Sequence, residues 1–178
     1  PFAMMVVGVL TVVVSARGSL SLGGLTSAAV GLGTACFGPL LGAASDRYGQ
    51  RPVLSILAIA NGAMLVTFTV VVYGSAADAL VLVSAIGIGA TAPQVAPLSR
   101  SRLVTMITER MPEAQRTRTV SGTMAYESAA DETVFVFGPF LVGILASAIA
   151  PWAPLVGAAA LTVLFVGGFA LHPSARAV

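Results

Sequence analysis

The sequence contains no lysine, one histidine and one cysteine, and each shortage excludes a class of function. Without lysine the chain has no glycine-rich loop of the kind that cradles nucleotide phosphates, so an ATP-driven function would need another chain. The single Cys36 excludes an intrachain disulfide and a multi-cysteine metal site. The single His172 lies at the end of the last apolar run, where it forms no catalytic pair with a serine at membrane depth. We therefore predict neither an enzyme nor a metal or cofactor site.

Charge is scarce throughout the sequence. Only 9% of the 178 residues are charged, against roughly 25% in soluble domains, whereas 57% are hydrophobic. Long charge-free runs can satisfy their backbone inside a bilayer as helices. We therefore expect an all-α membrane protein with six transmembrane helices. These helices are expected near residues 1–16, 22–44, 53–73, 79–99, 120–150 and 155–172.

Both ends of the sequence resemble cuts through a longer one. The first apolar run begins with Pro1, is short for a membrane span and lacks the basic leader of a signal peptide. The last run ends at His172 and leads into a short polar connector. We therefore expect residues 1–178 to be truncated at both ends.

The arginines predict an orientation, because basic residues concentrate in cytoplasmic loops. Eight of the nine arginines lie in segments 45–52 and 100–119 and at the C-terminal end, and only Arg17 lies on the other side. These segments are therefore expected in the cytoplasm, in a multi-pass protein of the cell membrane. Segment 100–119 is expected to be a solvated connector or, alternatively, an amphipathic helix on anionic lipid. It lacks the aromatic residues that stack on bases, so no nucleic-acid partner is expected.

The most specific motif is the run GAASDRYGQR, at residues 42–51 between the second and third expected helices. Gly42 is expected to allow a close helix approach, and Gly49 to supply a turn conformation that bulkier residues avoid. Asp46 and Arg47 are expected to form a charged pair at the membrane boundary. The run therefore predicts a tight, charged hairpin.

This hairpin resembles the signature loop of the major facilitator superfamily, G-x-x-x-D-R-x-G-R-R, with Gln50 in place of an arginine. The resemblance implies the N-terminal six-helix half of a twelve-helix permease, with a missing C-terminal six-helix half as its partner. In that superfamily the loop is a conformational latch that packs against the second half. By resemblance the latch residues here are Gly42, Asp46, Arg47, Gly49 and Arg51.

Three carboxylates lie in the first half of the fifth expected span, at Glu127, Asp131 and Glu132. Residues four apart share a helix face, so Glu127 and Asp131 form a stripe from which Glu132 diverges by about 100°. Carboxylates near membrane depth usually face a cavity or a partner. Like charges one turn apart favour protonation of one of them, which would let the pair load and release a proton. The alternative is a structural ion pair with Arg100 or Arg102.

The same helix carries Gly138, Pro139 and Gly143, which resemble part of the fifth-helix motif of drug and proton antiporters in the superfamily. The structural alternative is a kink at the proline. In the fourth expected helix, Pro93 and Pro97 predict a bend around a transport site.

Candidate cavity residues are Gln94, Thr91 and Tyr126, and Gln94 offers both donors and acceptors. Asn61 is expected to make an interhelical hydrogen bond away from the cavity.

Together these features favour a secondary active transporter of a small organic solute. It is expected to work by alternating access as a proton-coupled exporter of the drug or metabolite efflux type, driven by the proton gradient without a cofactor. Its expected partners are the lipid bilayer and the small-molecule substrate. One alternative is an uptake symporter for a sugar or small metabolite. Another is a non-transporting six-helix membrane scaffold or receptor-like subunit.

Overall fold

The computed structural model describes residues 2–176, which are almost entirely helical and contain no β-strand. A π-helical turn, Thr162–Val166, joins the last two helices, and a 3-10 turn, Pro173–Arg176, follows them. The helices are α1 (Phe2–Arg17), α2 (Leu20–Tyr48), α3 (Gln50–Tyr73), α4 (Asp78–Ala90), α5 (Val95–Arg110), α6 (Glu113–Ala148), α7 (Ala153–Leu161) and α8 (Gly167–Leu171).

Within residues 2–176, five helical segments are long and apolar enough to cross a membrane. They are α2, α3, the α4–α5 segment, α6 and the α7–α8 segment. The apolar helix α1 has 16 residues, short of the roughly 20 that a span requires. The protein is thus an all-α, multi-pass membrane protein. A sixth crossing, by α1, stays a prediction.

Two segments, 79–99 and 100–119, differ from what the sequence predicts. The single helix expected over 79–99 ends at Ala90 and resumes at Val95. Pro93 lacks a backbone N–H and restricts the residue before it, which accounts for the interruption. Segment 100–119 is neither a connector nor a separate surface helix, because α5 continues to Arg110 and α6 already begins at Glu113.

The hairpin between α2 and α3 is as tight as expected. Gly49 alone separates the two helices, and its φ of +88° is a conformation that glycine adopts without strain. At the other end of α2, Ser19 caps the helix by accepting a hydrogen bond from the Leu22 N–H at 3.2 Å. The turn role predicted for Gly49 is confirmed.

The closest helix contact joins α2 and α4 through Gly33 and Gly89. A Cβ atom on either glycine would overlap backbone atoms of the facing helix. Such contacts gain dispersion energy that larger residues would prevent. The close approach expected at Gly42 is wrong, because a Cβ there would meet nothing within 4 Å, and Gly38 faces the side chain of Gln94.

Helix α6 lies at the edge of the bundle. Only Gly138 and Val142 of its 36 residues are buried. A Cβ on Gly138 would lie 2.6 Å from the Cβ of Ala3, so this glycine allows α6 to contact α1. Pro139 lies within a continuous helix, and a Cβ on Gly143 would meet nothing within 4 Å. Gly138 therefore has a packing role that Gly143 lacks.

Arg17 joins α1 to the end of α3 and the start of α4. Its Nε donates to Val72 O at 2.8 Å, and its Nη1 lies 3.9 Å from Asp78 Oδ1. Its Nη2 donates to the carbonyl oxygens of Val71 (3.2 Å), Gly74 (3.0 Å) and Ala76 (2.9 Å). The last carbonyls of a helix lack intrahelical donors, so a cation is favourable there.

Candidate functional site

A cavity of about 480 Å³ lies between α6 and the interrupted α4–α5 segment. Residues of α1, α2, α3, α5, α6 and the π-helical turn contribute to its wall. Gln94, in the interruption, lines this cavity and also a neighbouring groove of about 450 Å³ along α2. Its Nε2 donates to Ala92 O at 3.2 Å. Interrupted helices of this kind border the binding sites of many transporters.

The other two candidate cavity residues lie elsewhere. Thr91 directly follows α4 and caps its C-terminal end. Its Oγ1 donates to Gly87 O at 2.8 Å and accepts from Asn61 Nδ2 at 3.2 Å. Tyr126 is 74% exposed on the outer face of α6. It is one residue from Glu127, and adjacent helical residues point about 100° apart. The assignment of Thr91 and Tyr126 to the cavity wall is therefore wrong.

The two carboxylates expected on one face of the fifth span do share that face. Glu127 and Asp131 both line the cavity, whereas Glu132 is exposed and lies outside its wall. Asp131 Oδ2 accepts from Arg100 Nη2 at 2.6 Å, and the two side chains are 41% and 43% exposed. Among the described residues, Glu127 Oε1 accepts from the Ser99 hydroxyl alone, at 3.2 Å. The ion pair expected for Arg100 is therefore present.

Arg102 does not join this pair. It is buried at the junction of α5, the start of α3 and the end of α8. Its Nε donates to Gln50 Oε1 at 2.6 Å, its Nη1 donates to Phe169 O at 2.9 Å, and its guanidinium carbon lies 3.8 Å from the centre of the Phe169 ring. Within the described residues, Arg102 Nη2 and Gln50 Nε2 are buried without a hydrogen-bond partner. The pairing of Arg102 with a carboxylate is therefore wrong.

The charged residues of the signature hairpin are exposed. Asp46, Arg47 and Arg51 face outwards, and Arg47 lies 5.5 Å from the ring centre of Tyr48. In the described part of the chain, Asp46 and Arg47 form no ion pair with each other. Adjacent helical residues do not face each other, so the expected pair is wrong. The hairpin instead presents its charges on the surface.

Asn61 has two roles, of which the sequence predicts one. Its Nδ2 donates to Ile88 O at 2.9 Å, which confirms the expected interhelical hydrogen bond. It also lines the cavity, contrary to expectation, and its Oδ1 has no partner among the described residues. Thr162, in the π-helical turn, lines the same cavity and has a buried Oγ1 without a partner. No feature of the sequence distinguishes Thr162, whereas π-helical turns are frequent at functional sites.

No group of three or more His, Cys, Asp or Glu side chains in residues 2–176 is placed to hold a metal ion. Comparison of the chain with protein-family models, curated proteins and solved structures finds no match. The structure itself defines a broad class: an all-α multi-pass membrane protein with an acidic cavity between its helices.

Proposed function

We propose that this chain forms one half of a secondary active transporter that exports a small organic solute in exchange for protons. The observation that carries the proposal is the cavity of about 480 Å³ with Glu127 and Asp131 in its wall. Ionisable groups in membrane-spanning segments are costly and usually mark a substrate or proton pathway. The interrupted segment beside Gln94 supports the same function.

The contacts of the carboxylates suggest how proton binding is coupled to a conformational change. Asp131 is joined to α5 by its ion pair with Arg100, and Glu127 by its hydrogen bond with Ser99. Protonation of Asp131 removes the negative charge that holds Arg100. Proton binding would thereby loosen the contact between α5 and α6 on one side of the cavity. Alternating access requires that the proton bind one conformation of the transporter more tightly than the other, and this loosened contact would supply that difference.

The exposure of α6 supports a second half. Only 11% of the most apolar window of α6 is buried inside the bundle, compared with 39% for α3. We propose that a second six-helix half, as the resemblance to the major facilitator superfamily implies, covers the cavity beside α6, and that lipid covers the rest. The exposed Asp46, Arg47 and Arg51 would then contact that half as the conformational latch.

The contacts of Arg102 support the proposed orientation in the cell membrane. By joining Gln50 and Phe169, Arg102 brings the start of α3, the middle of α5 and the end of α8 to one end of the bundle. The arginine-rich segments 45–52 and 100–119 and the C-terminal end therefore share that end. The positive-inside bias then favours a cytoplasmic location for all three.

The test is accumulation of labelled solutes by proteoliposomes that contain the full-length gene product, with a proton gradient of either polarity. An exporter of the proposed kind accumulates solute in acid-inside vesicles, whereas an uptake symporter does so when the outside is acidic. Accumulation with neither polarity across a broad solute panel would favour a non-transporting scaffold and contradict the proposal.

Two variants test the coupling role of the carboxylates. Glu127→Gln and Asp131→Asn should each abolish gradient-driven accumulation. Glu132→Gln is the matched control, because Glu132 belongs to the same helix but lies outside the cavity wall. Retained gradient-driven transport in both cavity variants would contradict the assignment of proton coupling to this pair.

A further inference from the structure

We infer that the cavity binds an organic ammonium ion, and that Arg100 is an internal cation that competes with this ligand for Asp131. The inference rests on the proposed function, because it names the substrate class of the proposed transport site. It is carried by the charge of the wall, by the unpaired oxygen atoms of the wall and by the partly exposed side chain of Arg100 beside it.

The charge of the wall is acidic. Glu127 and Asp131 line the cavity, and no basic side chain of residues 2–176 does so. Among residues 2–176, Glu127 accepts from the neutral Ser99 hydroxyl and forms no ion pair, because Arg100 pairs with Asp131 instead. Coulomb interactions strengthen as the local dielectric constant falls, so a cavity between membrane helices favours a cation beside this group.

Unpaired oxygen atoms indicate which kind of cation fits. Asn61 Oδ1 and Thr162 Oγ1 are buried without a hydrogen-bond partner among residues 2–176, and both residues line the cavity. Asn61 Oδ1 can only accept, so it favours a ligand that carries N–H groups over one that offers only acceptors, whereas the Thr162 hydroxyl can donate or accept. Phe2, Met5 and Phe135 supply apolar wall for the rest of the ligand. An ammonium group on an apolar body matches all of these features.

Arg100 shows that the site already accepts a cation. Its Nη2 lies 2.6 Å from Asp131 Oδ2, yet 41% of its side-chain surface is exposed, so solvent can stabilise the guanidinium when it leaves the carboxylate. A bound ammonium ion that reaches Asp131 must displace this guanidinium. Removal of Arg100 should therefore strengthen ligand binding, whereas removal of a residue that contacts the ligand should weaken it.

The first experiment uses four probes that share a phenylbutyl body. They are 4-phenylbutylammonium, 4-phenylbutyltrimethylammonium, 4-phenylbutanol and 4-phenylbutyrate. Binding is measured by calorimetry on the full-length gene product in lipid nanodiscs, with empty nanodiscs to correct for partition into lipid. The primary ammonium should bind about tenfold more tightly than the trimethyl cation, which lacks N–H donors, and more tightly still than the alcohol and the carboxylate.

Two results would overturn the inference. Equal binding of the alcohol and the ammonium would refute recognition of charge. Equal binding of the trimethyl cation and the primary ammonium would refute recognition by the unpaired oxygens.

The second experiment compares variants with the primary ammonium probe. Glu127→Gln should weaken binding about tenfold, because it removes a charge-assisted contact. Arg100→Gln should strengthen binding several-fold, because it removes the competing cation. Glu132→Gln is the control and should leave binding unchanged. If Arg100→Gln weakens binding in a variant that still elutes as a folded, monodisperse particle, the competition is refuted. Arg100→Gln is expected to bind the probe more tightly, and a misfolded protein would not show such a gain. The Arg100→Gln result therefore tests the inference even if Glu127→Gln misfolds.

The failures of the two proposals can be told apart. Gradient-driven accumulation of an anionic or neutral solute, without ammonium binding, would refute this inference and leave the transport proposal standing. Ammonium binding that depends on Glu127, without accumulation under either gradient, would refute transport and retain the ligand class.

Discussion

Arg17 and Arg102 each join three segments of the bundle, but with different kinds of partner. Arg17 donates to four backbone carbonyl oxygens and lies near Asp78, and its side chain is 20% exposed. Arg102 is 2% exposed and depends on the side chains of Gln50 and Ser174, one carbonyl oxygen and the Phe169 ring. Within the described part of the chain, one nitrogen of Arg102 and one of Gln50 have no hydrogen-bond partner.

This difference indicates that the two ends of the bundle differ in how firmly they are held. Backbone carbonyls remain in place when neighbouring side chains change, and water can replace a lost donor at a partly exposed helix end. At the Arg102 end, the contact depends on buried side-chain atoms, and unpaired buried groups are unfavourable. We therefore expect the Arg102 end to be more sensitive to substitution and easier to rearrange. Four predictions test this comparison.

The largest expected effect is that of Arg102→Ala. The substitution removes the donor of the buried Gln50 Oε1 and of the part-buried Phe169 O, and an unsatisfied buried group costs about 1–3 kcal/mol. The free energy of unfolding in mixed micelles should fall by about 3 kcal/mol. Arg51→Ala is the control, because Arg51 follows Gln50 in the chain but is exposed, and it should change stability by less than about 0.5 kcal/mol. Equal losses for both variants would contradict the structural role of Arg102.

Arg17→Ala should cost less, about 1–2 kcal/mol, because water can hydrate the carbonyl oxygens that lose their donor. Arg17→Lys should recover part of this loss, because an ammonium retains the charge near the end of α3 but lacks the planar fork of donors. Both are measured by the same unfolding titration. A loss from Arg17→Ala as large as that from Arg102→Ala would remove the proposed difference between the two ends.

Gln50→Glu should raise the free energy of unfolding by about 1 kcal/mol. One carboxylate oxygen keeps the bond to Arg102 Nε, while the other replaces the unpaired amide nitrogen and can accept from the unpaired Nη2. Gln50→Ala is the comparison and should destabilise the protein. The gain from Gln50→Glu should disappear in an Arg102→Ala background, and a double-mutant cycle measures this dependence. The same gain with and without Arg102 would contradict the mechanism.

The smallest expected effect on stability is that of Asp131→Asn. Its ion pair with Arg100 is about two-fifths exposed, and such pairs contribute at most about 1 kcal/mol. The unfolding titration should therefore show a change below about 1 kcal/mol, even though gradient-driven transport is lost. A loss as large as that expected for Arg102→Ala would make the Arg100–Asp131 pair a structural element.

Features set by near neighbours in the chain could be predicted. Charge-free runs locate the helical segments, because a run without charge can lie in hydrocarbon whatever its tertiary contacts. Gly49 was predictable as the turn residue because it lies in a short charged run between two apolar runs, where glycine adopts turn conformations that bulkier residues avoid, and its φ of +88° agrees. The shared face of Glu127 and Asp131 follows from helical periodicity. The interruption at 91–94 was predicted only as a bend, because proline opposes a continuous helix without fixing whether it kinks or breaks.

Features set by distant residues could not be predicted. Arg100 and Arg102 are two residues apart on α5, and such positions point in different directions. Nothing local decides which of them meets Asp131 and which meets Gln50. The same holds for Thr162, whose place in the cavity wall depends on the π-helical turn and on how α7 packs against α3. The contact of α2 and α4 pairs Gly33 with Gly89, and the sequence does not show which glycine of α2 meets α4, because the crossing point of two helices depends on both surfaces.

The sequence by itself determined that the chain is helical, apolar enough for a membrane, and acidic on one face of α6. These properties depend on composition and on residues within about one helical turn of each other. Only the tertiary structure decided that this acidic face borders a cavity, that Arg100 neutralises Asp131, and that Arg102 joins the hairpin to α8. The reason is that helix crossings bring together residues tens of positions apart, as with Arg102 and Gln50, and the partner of each polar group is fixed by that geometry.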